Sequence, residues 1–299
     1  MFSKLTVKKS KRFVFVLVSD THAGHNYGLL NPDTIFKEYD YEGSQYDHKP
    51  SLNKQQEYLW DTYIESVERV REIAKGAPII VLHNGDLTAG LKYPNQMAFT
   101  AISNQIIAAR DNMLPWLKLP NMRAFRITYG TQSHEFFEGT APRLVIDSLE
   151  ERYPDKDVRL MKHGYTEIEG VTFNYAHHGP YPGSRKWLEG NVARYYLRDL
   201  MMRSILSGKA PPYINAYAHY HTPIEEKLTM PANGNIYRSY LFISPSFELL
   251  GDYGQQATRS IDKVTNGVIA LECDQGGLVN EPHWITKTTD IRTKEVIEL

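Results

Sequence analysis

Asp20 and His22 stand two residues apart, His219 and His221 repeat that spacing, and Asp86 directly follows a glycine. Residues two apart in an extended segment point the same way, so each pair is expected to offer two donors in one direction. Imidazole nitrogens mixed with carboxylate oxygens suit manganese, zinc, iron or nickel better than calcium or magnesium alone. One carboxylate has two oxygens and can sit between two ions, and Asp86 is the residue expected there. Two cations about 3.5–4 Å apart clamp a phosphate and bring the pKa of a bound water towards roughly 7. The chemistry open to such a set is therefore hydrolytic: an activated water attacks phosphorus in line with the leaving oxygen, and nearby cations carry the charge that develops.

The elements that must position these groups are five apolar stretches, each ending in polar residues. Arg12–Ser19 runs into Asp20-Thr21-His22, and Pro78–Leu82 into His83-Asn84-Gly85-Asp86. Arg123–Tyr129 runs into Gly130-Thr131-Gln132-Ser133-His134-Glu135, Val171–Ala176 into His177-His178-Gly179, and Tyr213–Ala218 into His219-Tyr220-His221. Open α/β sheets place their sites at the carboxyl ends of strands, so five such ends at one edge would gather the groups. Helices are expected over Leu59–Ala74, from the three- and four-residue spacing of apolar positions, and over Pro94–Leu117, Ala141–Arg152 and Ser184–Leu206. Val158–Met161, Tyr165–Ile168 and Val171–Ala176 are expected as strands of a second sheet, with Ile236–Ile243 and Val268–Cys273 continuing the β pattern. Early alternation of strands and helices, then a cluster of strands, predicts an α/β (α+β) sandwich: two mixed sheets face to face, with helices outside. Residues 1–299 are read as one domain, with residues 24–50 a long insertion whose length suggests a functional or mobile loop.

Composition narrows the partners. With 34 basic and 35 acidic residues and no long run of one sign, there is no bulk electrostatic case for nucleic-acid binding, and the Lys8, Lys9, Lys11, Arg12 cluster reads as a solvated lead-in to the first strand. The single cysteine, Cys273, cannot form an internal disulfide and fits a reducing compartment; it reads as a buried strand residue. Phe13–Val18 is too short to span a bilayer, and no leader peptide is expected. A cytoplasmic protein without membrane contact is the expectation, and the oligomeric state stays open.

Asp20-Thr-His22, Gly85-Asp86, Gly130-Thr-Gln-Ser-His-Glu135, His178-Gly179 and Ala218-His219-Tyr-His221 resemble, in order, the motif set of the calcineurin-like metallophosphoesterases. The resemblance spans Asp20 to His221, about two thirds of the chain. Pro50–Trp60 and the Gly-Thr-x-x-His form look like the phage and prophage branch, which would place the protein in a host cytoplasm. The resemblance implies a four-layer αββα fold and two divalent ions, manganese first, with zinc, iron or nickel as alternatives. It implies that Asp20, His22 and His221 hold one ion, that His178 and His219 hold the other, and that Asp86 lies between. His134 would contact phosphate and protonate the leaving group, and Glu135 would orient His134 or a group behind the ligands. The implied activity is phosphodiester cleavage, of nucleic acid or nucleotides. A phosphomonoesterase and an inactive binding module on the same fold are the alternatives.

Two departures stand out. The family has Asn directly after the glycine of its Gly-Asn-His motif, whereas here Thr131, Gln132 and Ser133 separate Gly130 from His134. Gln132, Ser133 or water is expected in the place of that Asn, with a weaker second ion. Ala218 replaces the usual glycine before His-x-His. Beyond the motifs, Asn84 reads as a support behind the ligands or a satisfied loop amide. His177 is expected to point away from its neighbour His178, contacting substrate or packing. Arg185 is either a phosphate holder or a solvated helix-start residue. Tyrosines of the 27–46 region could stack on bases or pack. His25, His48, His163 and His283 read as surface residues.

Overall fold

β1 (Phe13–Val18) is buried along its whole length because both of its faces are covered. Phe13, Phe15 and Leu17 enter one core, while Val14, Val16 and Val18 enter another, the two-residue alternation of a strand. The computed structural model describes residues 11–183, 186–251 and 261–297. Within them β1 pairs in parallel with β4 (Ile79–His83), β4 with β5 (Met122–Thr128), and β5 with β6 (Asp157–Met161). On its other side β1 pairs antiparallel with β12 (Lys263–Asp274), which also carries β13 (Gly277–Leu278) and β14 (His283–Asp290). A second sheet has the order β10-β11-β9-β8-β7. Its strands are β7 (Gly164–Ile168), β8 (Val171–Tyr175), β9 (Ile214–Tyr217), β10 (Ile224–Ala232) and β11 (Asn235–Ile243).

Three apolar cores define four layers. The valines of β1 pack with α1 (Lys54–Ala74), α2 (Ile102–Leu117) and α3 (Thr140–Arg152), through residues such as Tyr63, Trp116 and Val145. Phe15, Leu17, Ile80 and Leu82 of the first sheet meet Phe173, Ile214 and Phe242 of the second, with Phe15 stacked on Phe173 at 4.1 Å. The far face of the second sheet receives Ala193, Leu197 and Met201 of α4 (Asn191–Leu206). The order helix, sheet, sheet, helix is the expected αββα sandwich of two mixed sheets. Among the described residues no helix is long and apolar enough to cross a membrane.

Several element expectations need correction. Residues 158–161 do not join the second sheet; β6 extends the first sheet beside β5, as a strand following helix α3 in a parallel β-α-β unit should. The 24–50 segment is not structureless: β2 (Phe36–Tyr39) and β3 (Gln45–His48) form an antiparallel hairpin. Residues 94–117 split into a 3₁₀ turn at Pro94–Gln96 and α2. α4 begins at Asn191, so the expected helix from Ser184 is shorter; Ser184 and Arg185 lie outside the described residues. Lys8 and Lys9 also lie outside them. Arg12 is no solvated lead-in residue, since its guanidinium holds Glu272 and the Ile73 and Ala74 carbonyls. Cys273 is a buried strand residue, and burial pushes its thiol up to about 12.

Candidate metal centre

Parallel pairing brings the carboxyl ends of β1 and β4 side by side, and the loops beyond them stay zipped. Asp20 N–H donates to Gly85 O at 3.2 Å, His22 N–H to Asp86 O at 3.1 Å, and Ala23 N–H to Leu87 O at 2.9 Å. β8 and β9 do the same in the other sheet, where Ala176 N–H donates to Ala216 O and Ala218 N–H to His177 O. The Asn84 side chain bridges the sheets. Its amide donates to the Ala176 and Ala216 carbonyls at 3.0 and 3.3 Å, and its Oδ1 accepts from the Thr128 hydroxyl at 2.8 Å. Asn84 is thus a buried clasp beneath the site.

The ligand segments are not extended. Asp20, His22, Asp86, His219 and His221 have φ of 52°, 41°, 52°, 75° and 53°. Left-handed backbone at a non-glycine residue costs of order 1–3 kcal/mol and gathers at functional sites. These turns, rather than strand alternation, aim the side chains. Two glycines make the approach feasible. Gly85 has φ 88°, and a Cβ there would lie 2.5 Å from His177 Nδ1; a Cβ on Gly130 would lie 2.2 Å from Asp86 Oδ1.

The side chains converge. His221 Nε2 lies 3.2 Å from Asp20 Oδ1 and 3.4 Å from His22 Nε2, while His22 Nε2 lies 4.0 Å from Asp86 Oδ2. On the other side of Asp86, His177 Nε2 lies 3.1 Å from the same Oδ2. Four overlapping trios have their ligand atoms within 4.8 Å of one another: Asp20/His22/His221, His22/Asp86/His134, Asp20/Asp86/His177 and His177/His178/His219. Asp86 and Asp20 link the two halves. His178 and His177 both border the site, their rings 4.4 and 5.2 Å from that of His219; they do not divide with one facing away. His177 is the buried one, and its Nδ1–H donates to the Asn84 carbonyl at 2.6 Å. That bond turns Nε2 towards Asp86, where its proton would give way to a cation.

The Gly130–Glu135 segment is arranged otherwise than expected. His134 is oriented by the Ala89 carbonyl, 2.9 Å from its Nδ1, and not by Glu135. Glu135 is buried and accepts from Gly130 N–H at 2.6 Å, which fixes the loop behind Asp86. Gln132 is exposed and Ser133 half-buried. The hydroxyl among the histidines is instead that of Thr131, 3.2 Å from Asp86 Oδ2, 3.2 Å from His219 Nδ1 and 3.4 Å from His177 Nε2.

Sequence reasoning also missed Glu248. Its Oε2 lies 3.5 Å from both His22 Nε2 and His221 Nδ1, and its Oε1 lies 3.1 Å from His25 Nδ1. His25 is accordingly buried, not a surface residue, and its Nε2 bonds the Gln96 side chain. His163 and His48 are exposed, as expected, beside Asn174 and Glu38, whereas His283 is half-buried and bonds Glu272. Glu248 lies five residues past β11, which runs parallel to β9. A sixth strand end at the same edge was the signal for it.

Burial alone would raise Asp20 and Asp86, but facing imidazoles, His221 for Asp20 and His177 for Asp86, hold both carboxyls below their usual range. Burial would lower His177 and His221, yet Asp86 lifts the first to about 10 and Asp20 lifts the second to about 9. Burial, then His134, keeps His22 well below its ordinary value. Burial raises Glu135 to about 8, with Asp86 adding to it. Glu248 rises to about 7, through burial and through Asp20 and Asp86, against the pull of His221. A cation would do what these protons do, because it needs deprotonated imidazole and carboxylate donors. The residues fit that role: buried Asp20 Oδ1 and His22 Nδ1 have no hydrogen-bond partner, despite the nearness of His221 to the former. Unpaired buried polar atoms are costly, and the donor set is that of a transition-metal site.

No family model matches the sequence, and no curated protein matches it. Similar solved structures include a protein of unknown function from Aquifex aeolicus, at 14% identity over 70% of this chain and 80% of that one, with a TM-score of 0.32. They also include a metallophosphoesterase from Sphaerobacter thermophilus, at 9% identity over 88% of this chain and 84% of that one, with a TM-score of 0.33. At such scores the reading of this protein stands on its own geometry.

Proposed function

We propose that this protein is a metal-dependent phosphoesterase of the calcineurin-like type that cleaves phosphodiesters. The observation that carries the reading is the convergence of Asp20, His22, His221, His177, His178 and His219 around Asp86 at one edge of two sheets. A scaffold has no physical need for two buried carboxylates among so many imidazoles. Divalent cations bound there would supply positive charge for phosphoryl oxygens and lower the pKa of the attacking water. Asp86, with its Oδ2 near both His22 and His177, would be shared by both cations. Asp20, His22 and His221 would hold one, and the His177 side the other.

The remaining residues position and move protons. The Asn84 carbonyl fixes the His177 tautomer. The Ala89 carbonyl fixes His134 through Nδ1, leaving Nε2 to hold a phosphoryl oxygen or to give the leaving oxygen a proton. Diester cleavage is favoured by an aromatic strip leading away from the centre: Tyr220 lies 5.0 Å from His219, and Tyr181 lies 5.5 Å from Tyr220. Such rings can stack on a base or aryl group. Tyr39, Tyr41 and Tyr46 are exposed on the β2-β3 hairpin and could add to such contacts.

The test is turnover of bis(4-nitrophenyl) phosphate and 4-nitrophenyl phosphate with added manganese. The diester is expected to turn over, chelator to stop it, and Asp86→Asn to lower it more than about 100-fold, beyond what loss of a ligand's supporting contact costs. Preference for the monoester would assign a monoesterase instead. Metal uptake without turnover of either ester would leave a binding module.

A further inference from the structure

We propose that the Thr131 hydroxyl is a cation donor, completing the His177, His178 and His219 side of the centre, and that this side binds its cation second and more weakly. The inference rests on reading the cluster as a two-cation centre, and it assigns the role to Thr131 rather than to Gln132, Ser133 or water.

Thr131 is held by its backbone before its side chain is considered. Its N–H donates to Asp86 Oδ1 at 2.5 Å, and Gly130 admits no Cβ between that loop and Asp86. The hydroxyl is thereby carried to 3.2 Å from Asp86 Oδ2, 3.2 Å from His219 Nδ1 and 3.4 Å from His177 Nε2. Each of these neighbours belongs to a candidate cation trio. A hydroxyl has one proton to give and two lone pairs. It can donate to only one of the three, and His177, whose Nδ1–H is spent on Asn84, meets Asp86 through Nε2. One cation in this space would take electron pairs from Oγ1, Oδ2 and the imidazoles together, which no arrangement of that single proton can do.

The ranking follows from charge. The side with His22 and His221 has Glu248 3.5 Å from both of its histidines, besides Asp20 and Asp86, which also reach His177. The other side has imidazoles, a neutral hydroxyl and no carboxylate beyond the Asp20 and Asp86 that it shares. A divalent ion is held less strongly by fewer charged donors.

The experiment uses chelator-stripped full-length protein titrated with manganese, reading bound ions per chain, the affinity of each, and the spin-coupled signal of an ion pair. Wild type and Thr131→Ser should bind two ions with the coupled signal. Thr131→Val and Thr131→Ala keep the backbone bond to Asp86 but lack the hydroxyl. They should keep the first ion, bind the second more than about 10-fold more weakly, and lose the coupled signal at sub-saturating manganese. Unchanged affinity for both ions in Thr131→Val and Thr131→Ala would overturn the proposal, as would loss of both ions together. Failure of the two-cation reading would show separately, as a wild-type protein that binds fewer than two ions.

Discussion

Glu248 adds a third carboxylate beside His22 and His221, two imidazoles that already face Asp20. Ligating histidines are commonly held by a carboxylate on the ring nitrogen that does not bind metal. His221 presents Nε2 to Asp20 and Nδ1 to Glu248, which is that arrangement. Glu248→Gln should therefore weaken the first manganese ion by about 10-fold, with the second ion less affected, as read by the same titration. Equal affinities in variant and wild type would remove Glu248 from the site. Asp20, His22, Asp86, His219 and His221 were legible because each follows an apolar strand at a telling spacing. Thr131 was not, because a threonine beside Gln132 and Ser133 has no side-chain chemistry that sets it above them; the Gly130 approach to Asp86 selects it, at the position directly after the glycine. That His177 borders the site together with His178 was equally invisible, since it depends on the Asn84 carbonyl from another sheet.

At the scale of elements, the site depends on how two sheets are fastened at one edge. Asn84 directly follows β4 and bonds the carbonyls of Ala176, just past β8, and Ala216, next to last in β9. It also binds the Thr128 hydroxyl at the end of β5. Asn84→Ala would leave the Ala176 carbonyl and the Thr128 hydroxyl without this partner and take one of two bonds from the Ala216 carbonyl, with an unserved buried group worth of order 1–3 kcal/mol. A loss of about 2–4 kcal/mol in urea unfolding is expected, together with weaker manganese binding on the His177 side. An unchanged unfolding midpoint would mean that the sheets are joined without the clasp. Of the strands leading into the site, β1 and β4 were readable as near-continuous apolar runs, since both their faces are covered. β10 and β14 escaped notice for the opposite reason. Glu225, Lys227 and Thr229 alternate outward on β10, and β14 carries Lys287 and Thr288 at the sheet's margin. Edge strands of this kind lack the continuous apolar signal. The β2-β3 hairpin, with four residues per strand and one exposed strand, offers even less.

For the whole molecule, the pole opposite the metal centre is closed by a second polar fastening around Glu272. Its Oε2 accepts from Arg12 Nε at 2.8 Å, and its Oε1 meets His283 Nε2 at 2.6 Å and Asn280 Nδ2 at 3.1 Å. Arg12 in turn donates to the carbonyls of Ile73 and Ala74 at the end of α1. One carboxylate thus ties the entry to β1, the end of α1, β12 and β14. Burial would raise the Glu272 carboxyl, but the bonds from Arg12, His283 and Asn280 outweigh it and hold it below its ordinary 4.5. A carboxyl held lower in the folded than in the unfolded chain binds fewer protons when folded between the two values. Its stabilisation is therefore complete above the unfolded value and fades as pH falls through the folded one. Glu272→Gln should cost about 1–2 kcal/mol near neutral pH, allowing for the solvent that reaches Arg12 and His283. Urea unfolding of the two proteins from about pH 7 downward should give curves that stay parallel to near 4.5 and then converge. A gap that stays constant into acid would place the effect in packing rather than charge, and a gap that opens as pH falls would contradict the direction of the shift.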